Sequence, residues 1–166
     1  LAGDASLAAP MREMVTRHAA RNARFMKQMA DNALRNGPAL NWRGGIDAQE
    51  EGGQSVVDLK LRGTAIYVDA ARLYALAHGV AATGTRARFE AVAQEAEAWI
   101  GGFEYLQLLR LQVQLARERR EAVDAPDGNP NLIDVNALND IDRRVLKESL
   151  KVARRLQQRI ELDYAR

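Results

Sequence analysis

Cysteine is absent from the 166-residue chain, and histidine, tryptophan and phenylalanine are rare. Without cysteine, the chain can form no disulfide framework and supply no thiolate, which is compatible with the cytoplasmic location that we expect. The two histidines, His18 and His78, are too few and too far apart to predict a histidine-built metal site. No apolar run approaches the ~20 residues that a membrane span needs, so we expect neither a span nor a signal peptide.

A strong excess of either charge is also missing. Lysine and arginine total 24 against 22 acidic residues, so the formal net charge is only +2. A dedicated nucleic-acid binder would cluster its basic residues on one face, and the basic outer face of the last predicted helix is typical of a solvated surface. Nucleic acid is therefore not an expected partner.

The length is enough for one domain that buries roughly 70% of its unfolded surface. The chain begins with Leu1 rather than methionine, from which we expect a piece of a longer polypeptide.

Apolar residues recur at helical spacing in six segments with little strand signal, which predicts an all-α, up-and-down helical bundle. We expect a four-helix-bundle core with extra N-terminal helices. The predicted segments are a first helix capped by Asp4 or Ser6, a second from about Asn22 to Asn36-Gly37-Pro38, a third over 58–76, a fourth over 86–98 capped by Thr85, a fifth over 103–120 after Gly101-Gly102, and a last one capped by Asn136 or Asn139 and ending near Tyr164.

Two glycine pairs, Gly44-Gly45 and Gly52-Gly53, interrupt the helical pattern between the second and third segments. They predict a loop that can include a short β-hairpin near 40–56. Trp42 is the residue of this loop that we expect to dock onto the bundle. The run 124–130 is rich in turn formers and predicts another loop.

The third segment carries an unusual charged stripe. If 58–76 is one helix, Asp58, Arg62, Asp69 and Arg72 share a narrow arc between two apolar flanks. A helix that is apolar on both flanks lies inside a bundle, so these charges must pair, be solvated along a cleft, or bind a ligand.

The fifth segment has a matching pattern. Leu106, Leu109 and Val113 face one way and Leu108, Leu111 and Leu115 another, with a polar line of Gln107, Arg110, Gln114 and Arg117 between them. We hypothesise that this line faces the charged stripe across a polar groove. The alternative is that the charges neutralise one another as an internal ion-pair network.

No active site is predicted from the residues themselves. The one Asp-x-Asp, Asp140-Ile141-Asp142, opens the last helix, where acidic residues interact favourably with the helix dipole. No Gly-Ser turn after a strand precedes it, and neither histidine has a local nucleophile or orienting group. We therefore predict neither catalytic residues nor a metal site.

Several motifs together carry a family resemblance. They are Asp58-Leu59-Lys60, Arg62-Gly63, Asp69-Ala70-Ala71-Arg72-Leu73, Phe103-Glu104-Tyr105-Leu106, Leu109-Arg110-Leu111, Gln114, Asn131 and Ile133-Asp134. This signature resembles the helical C-terminal domain of nucleotidyltransferases of the DUF294 group. That group is similar to the PII-uridylyltransferase type and often carries CBS or cyclic-nucleotide-binding modules upstream. Gln112-Val113 departs from an Arg-His pair that is usual in the family.

The resemblance implies a substrate-binding or regulatory domain of a bacterial signal-transduction nucleotidyltransferase. Residues 1–45 would lead from an upstream catalytic domain, and 46–166 would form the binding bundle. The parent enzyme would use Mg²⁺ and a nucleoside triphosphate, and its substrate can be a protein. The residues that we expect to bind substrate are Asp58, Lys60, Arg62, Asp69, Arg72, Glu104, Arg110 and Gln114.

An alternative of a different class is a dimerisation or protein-interaction module that binds no small molecule. Such a module, which includes the case of a homodimer, would expose more apolar surface than a monomer normally does.

Overall fold

Six α-helices and a small antiparallel sheet make up the residues that the computed structural model describes, which are 5–93, 96–121 and 129–165. The helices are α1 (Ala8–Ala20), α2 (Ala23–Ala33), α3 (Ala65–Ala77), α4 (Thr85–Val92), α5 (Ala96–Glu121) and α6 (Asp140–Tyr164). The strands are β1 (Gln49–Glu51), β2 (Gln54–Asp58) and β3 (Leu132–Asp134). The predicted helical bundle and hairpin are confirmed. Asp4 and most of the 124–130 loop lie outside the described residues.

The sheet has the order β1-β2-β3, with both neighbouring pairs antiparallel. Gly52 and Gly53 turn the β1–β2 hairpin with φ of 58° and 77°, a left-handed conformation that glycine adopts without a steric cost. Val57 and Ile133 pair across β2 and β3, and both are buried in the core. The strand β3 was not predicted, because three residues carry too little periodicity to indicate a strand.

The cap predicted at Asn139 is confirmed, and the structure shows a further cap at Asn22, where the second helix was predicted to begin. The Asn22 side chain accepts a hydrogen bond from the Phe25 amide at 3.0 Å, and the Asn139 side chain accepts one from the Asp142 amide at 2.8 Å. The cap predicted at Thr85 is wrong by one residue, since Thr85 is the first residue of α4 and Gly84 precedes it.

Helix α3 lies at the centre of the molecule, as the apolar flanks predicted. It packs against α1, α2, α4 and α6. Tyr67 and Leu73 are fully buried, and the Tyr67 hydroxyl donates a 2.6 Å hydrogen bond to the Ser149 carbonyl of α6. This bond satisfies a polar group that burial would otherwise leave without a partner.

The prediction of one continuous helix from Asp58 is wrong. Asp58 ends β2, and Lys60–Thr64 form a π-helical turn in which the Thr64 amide bonds to the Leu59 carbonyl at 2.8 Å. A π turn holds one more residue than an α turn, which shifts the helical phase by about 100°. Asp58 and Arg62 therefore do not share an arc with the charged residues of α3.

The break predicted at Gly101-Gly102 is also absent. The described part of α5 begins at Ala96 and runs through both glycines. Gly102 is buried against the Tyr67 ring, so a Cβ at this position would collide with the tyrosine hydroxyl. Gly102 is thus required for close packing between α5 and α3, not for a turn.

Two predictions of burial are wrong. Trp42 is 83% exposed, with the Arg43 guanidinium 4.5 Å from its ring centroid. On α5, Leu108, Leu111 and Leu115 are 55%, 51% and 44% exposed, so the described part of this helix is buried on one side only.

None of the described helices is both long enough and apolar enough to span a bilayer.

Candidate functional site

The eight residues predicted to bind substrate lie in different parts of the surface. Asp58 and Gln114 belong to one hydrogen-bond network, Arg62 anchors a loop, Asp69 and Arg72 form a pair on α3, and Glu104 bridges two helices. Lys60 is exposed.

Asp58 organises the start of the π turn. Its Oδ1 accepts hydrogen bonds from the backbone amides of Lys60 and Leu61, both at 2.8 Å. These amides have no carbonyl partner within the turn, so the carboxylate acts as a helix cap.

Two asparagines connect Asp58 to Gln114. Asp58 Oδ2 accepts from Asn129 Nδ2 at 2.7 Å, Asn129 Oδ1 accepts from Asn131 Nδ2 at 2.9 Å, and Asn131 Oδ1 lies 3.5 Å from Gln114 Nε2. The charged stripe of the third segment and the polar line of the fifth were expected to face each other. This network brings together one residue of each, Asp58 and Gln114. Because Asp58 already accepts three hydrogen bonds, this network joins β2, β3 and α5 rather than presenting open ligand sites.

Arg62 fastens the loop before the sheet to the π turn. Its guanidinium donates to the Asp47 carboxylate at 2.8 Å, to the Asp47 carbonyl at 3.2 Å and to the Pro38 carbonyl at 3.3 Å. Three of its five N–H donors are therefore used by the chain itself.

Two further predicted residues, Glu104 and Arg110, form hydrogen bonds with side chains of the helices. Glu104 of α5 accepts a hydrogen bond from Arg86 of α4, which also donates to Glu90 on its own helix. Arg110 donates to Gln107 at 3.1 Å, while its buried Nε finds no partner among the described residues.

Arg72 borders a cavity of about 240 Å³ between α1, α3 and the segment that leads into α4. We call this cavity the three-arginine cleft, because Arg12, Arg72 and Arg88 all line it. The larger apolar residues of the remaining wall are Met11, Val15, Leu76 and Val80.

The cleft carries an excess of positive charge. Its described lining includes three arginines and no acidic residue. Asp69 pairs with Arg72 at 3.1 Å, and both side chains remain partly exposed. Burial, together with the positive charges of Arg72 and Arg12, lowers the pKa of Arg88. A bound anion would relieve this like-charge repulsion.

Local contacts orient the arginines. Arg88 Nε donates to the Ala82 carbonyl at 2.8 Å, which holds the side chain against the chain segment before α4. Burial raises the pKa of Asp69, and the neighbouring Arg72 opposes that shift. Asp69 pairs with one terminal nitrogen of Arg72, so this pair leaves further guanidinium donors of Arg72 available.

Sequence reasoning identified Arg72 but missed Arg12 and Arg88. Both lie on helices that the pattern did predict, but nothing in the spacing along the chain shows that α1 and α4 approach the same end of α3. The Arg-x-Arg pair at 86–88 was the one local signal of a positively charged site. Of these two arginines, Arg86 pairs with Glu90 and Glu104 and does not line the cleft.

The histidines take no part in the cleft. The Nδ1 of His18 lies 2.8 Å from the Met14 carbonyl, and that of His78 lies 2.8 Å from the Tyr74 carbonyl, each four residues earlier. Within the described residues, no group of three or more His, Asp or Glu side chains is arranged to hold a metal ion.

The structure is thus a helical domain with a small sheet and with a cleft lined by three arginines. The family whose description reads "Putative nucleotidyltransferase substrate binding domain" matches residues 23–164. Since the match covers most of the chain, the protein belongs to this family. No curated protein and no solved structure matches the chain significantly.

Proposed function

We propose that the three-arginine cleft of this substrate-binding domain holds an anionic group of the substrate, a phosphate or a carboxylate. The observation that supports it is the approach of three guanidinium groups, from α1, α3 and α4, to one cavity whose described lining has no carboxylate. Arginine suits this role because its planar donors match phosphate and carboxylate geometry.

The apolar wall leaves the cleft open to solvent. Met11 and Val15 are 59% and 50% exposed, so an anion would meet the guanidinium groups at a partly hydrated site, where charges attract less strongly than in a dry interior. Arg12 lies on α1, before the segment that the family model matches, so we infer that α1 is part of the binding domain in this chain.

The chemistry itself would take place on another domain. We propose that a catalytic domain elsewhere in the polypeptide supplies the Mg²⁺ site and binds the nucleoside triphosphate, and that the enzyme serves bacterial signalling under CBS or cyclic-nucleotide-binding modules. The Asp-x-Asp of this chain is a poor substitute, because Asp142 accepts hydrogen bonds from Asn139 and Tyr105 at 2.8 Å and 3.3 Å.

Calorimetry of anion binding tests the proposal. Pyrophosphate and succinate serve as phosphate and carboxylate probes, and we expect saturable binding of at least one. Arg72→Gln or Arg88→Gln should each weaken it about 10-fold or more, because a hydrogen bond to a charged group contributes ~1.5–3 kcal/mol. Arg24→Gln, an exposed change on α2 outside the cleft, is the matched control. Equal affinities in all four proteins would refute the proposal.

A second candidate function is self-association. The exposed leucines of α5, Leu108, Leu111 and Leu115, recur at i, i+3 and i+7 and form one apolar row on the described surface. We propose that a second copy of the chain can cover this row. Light scattering should then show a dimer that Leu111→Glu dissociates, whereas a monomeric wild-type protein would contradict it.

A further inference from the structure

Trp99, in the first turns of α5, is surrounded by aromatic and charged side chains that do not line the three-arginine cleft. Its indole stacks on Tyr74 at 5.8 Å between centroids and 15° between planes, and meets Phe89 edge-on at 5.3 Å. The Arg159 guanidinium of α6 lies 6.0 Å from the indole centroid. Trp99 is buried, with 9% of its surface exposed, and Phe89 is fully buried.

Two cavities meet at this tryptophan. One, of about 530 Å³, lies between the start of α5 and α6 and is bordered by Glu97, Trp99, Arg155 and Arg159. The other, of about 380 Å³, lies where α3, α4 and α6 end, and it shares Trp99 and Arg159 with the first. Volumes of this size are typical of small-molecule sites. None of their described lining residues borders the three-arginine cleft.

The Arg159 side chain is loosely held. Its Nε is 3.7 Å from Asp163, a long contact between side chains that are both more than 40% exposed. At 6.0 Å from the indole centroid, its guanidinium sits at the outer limit of a cation–π interaction. Exposed ion pairs contribute little, so Arg159 can change position at low cost when a flat ligand enters beside Trp99.

The charges near Trp99 distinguish the two cavities. Asp163 is engaged, since it pairs with Arg159 and lies 3.5 Å from the Tyr74 hydroxyl. Arg155, in contrast, is exposed at the rim of the larger cavity and has no close ion pair among the described residues. Its charge acts on Glu148, whose pKa is lowered by Lys151 first and also by Lys147 and Arg155. The larger cavity thus has the buried indole of Trp99 in its wall, and both a carboxylate, Glu97, and the guanidinium group of Arg155 at its border.

We propose that the cavity between Trp99, Arg155 and Arg159 binds a planar aromatic ligand that carries an anionic group, with the size and chemistry of a nucleoside monophosphate. The ring would stack against the indole and the Arg159 guanidinium, because guanidinium planes and aromatic faces both stack on flat rings. Arg155 would receive the anion. This is a second site, separate from the proposed substrate cleft.

Tryptophan fluorescence can report on this site alone. The chain has two tryptophans, and Trp42→Phe removes the exposed one, leaving Trp99 as the reporter. In this background we expect AMP to change the Trp99 emission saturably at up to millimolar concentration. Adenosine, which lacks the anion, should bind at least about 10-fold more weakly, and inorganic phosphate should cause no change. Nicotinate, an aromatic acid without an indole ring, shows whether an aromatic anion other than a nucleotide also binds.

Variants locate the ligand. Arg155→Gln should weaken AMP binding about 10-fold and Arg155→Lys less, while Arg144→Gln, an exposed change earlier on α6, should leave it unchanged. Circular dichroism confirms that each variant is folded.

Three results would overturn the proposal. They are no saturable signal with either aromatic anion, equal affinity for adenosine and AMP, and a loss on Arg72→Gln as large as that on Arg155→Gln. The last result would place the ligand in the three-arginine cleft.

Discussion

Two adjacent glycines in α5 should respond oppositely to the same substitution. A Cβ at Gly101 meets no atom within 4 Å, whereas a Cβ at Gly102 would collide with the Tyr67 hydroxyl and lie 3.0 Å from Tyr67 Cζ. We therefore predict that Gly101→Ala stabilises the protein and Gly102→Ala destabilises it.

The magnitudes follow from what each change adds. Alanine in a helix interior is favoured over glycine by ~1 kcal/mol, and this is the whole effect at Gly101. At Gly102 the same gain is offset by overpacking of ~1–3 kcal/mol. Displacing Tyr67 also strains or breaks its 2.6 Å bond to Ser149, which costs a further ~1–3 kcal/mol. The net loss at Gly102 is then about 1–5 kcal/mol.

Urea unfolding followed by circular dichroism measures the change in the free energy of unfolding for both variants. Thermal unfolding measures the same changes as shifts in Tm. For a chain of this size, 1 kcal/mol corresponds to roughly 2–4 °C in Tm, so Gly101→Ala should raise Tm by about that amount and Gly102→Ala should lower it by several degrees. Tyr67→Phe in the Gly102→Ala background removes the nearest atom and should recover part of the loss. If Gly102→Ala stabilises the protein as much as Gly101→Ala, the close packing of α5 on α3 is refuted.

Four further predictions concern the polar contacts. Asp58→Ala should lower the free energy of unfolding by ~1–2 kcal/mol, because it removes the cap on the π turn; an unchanged urea midpoint would contradict this. Gln157→Leu should cost ~1–3 kcal/mol, since the buried amide donates to the Ala33 and Asn36 carbonyls at 2.9 Å and 2.8 Å, and the same urea assay checks it. Arg86→Ala should change the urea midpoint little, because exposed ion pairs contribute ~0–1 kcal/mol, and a large loss would argue against this. Burial raises the pKa of Tyr67 above its ordinary value of 10.0, so the tyrosine hydroxyl loses its proton in the unfolded state first as the pH rises. The stabilisation that this group provides should be full below pH 10 and fall above it. The free energy of unfolding should therefore fall less steeply in Tyr67→Phe than in the wild type.

Helix existence was predictable from the sequence because it depends on local apolar spacing. The apolar residues of α2, α3 and α6 recur with the helical period, and Asn22 and Asn139 provide caps that act within three residues. These signals do not depend on distant parts of the chain, so the helical bundle followed from them.

The errors arose where tertiary contacts override local preference. Gly101 and Gly102 look like a helix break, but the Tyr67 ring leaves room only for glycine at 102, and the helix continues. Asp58 has helical spacing to Arg62, yet it is the last residue of strand β2. The partner strand β3 lies more than seventy positions later in the sequence. Pairing over such a distance leaves no local signal.

The candidate site was predicted only in part, for the same reason. The charged stripe singled out Asp69 and Arg72, because charged residues must be paired or solvated wherever the helix lies. The π turn then rotated Arg62 away toward Asp47, and packing of α1 and α4 introduced Arg12 and Arg88. Which arginines share a cavity is a property of helix packing and not of spacing along one helix.

The central claim is that an anion binds between Arg12, Arg72 and Arg88, and side-chain NMR tests it most directly. The Nε–Hε resonances of the arginines would be followed while pyrophosphate or succinate is added to the wild-type chain. We predict saturable shifts for Arg72 and Arg88 at a common dissociation constant, with Arg24 unmoved. Weak, non-saturating shifts of equal size across all exposed arginines would contradict the claim and leave the cleft without a ligand role.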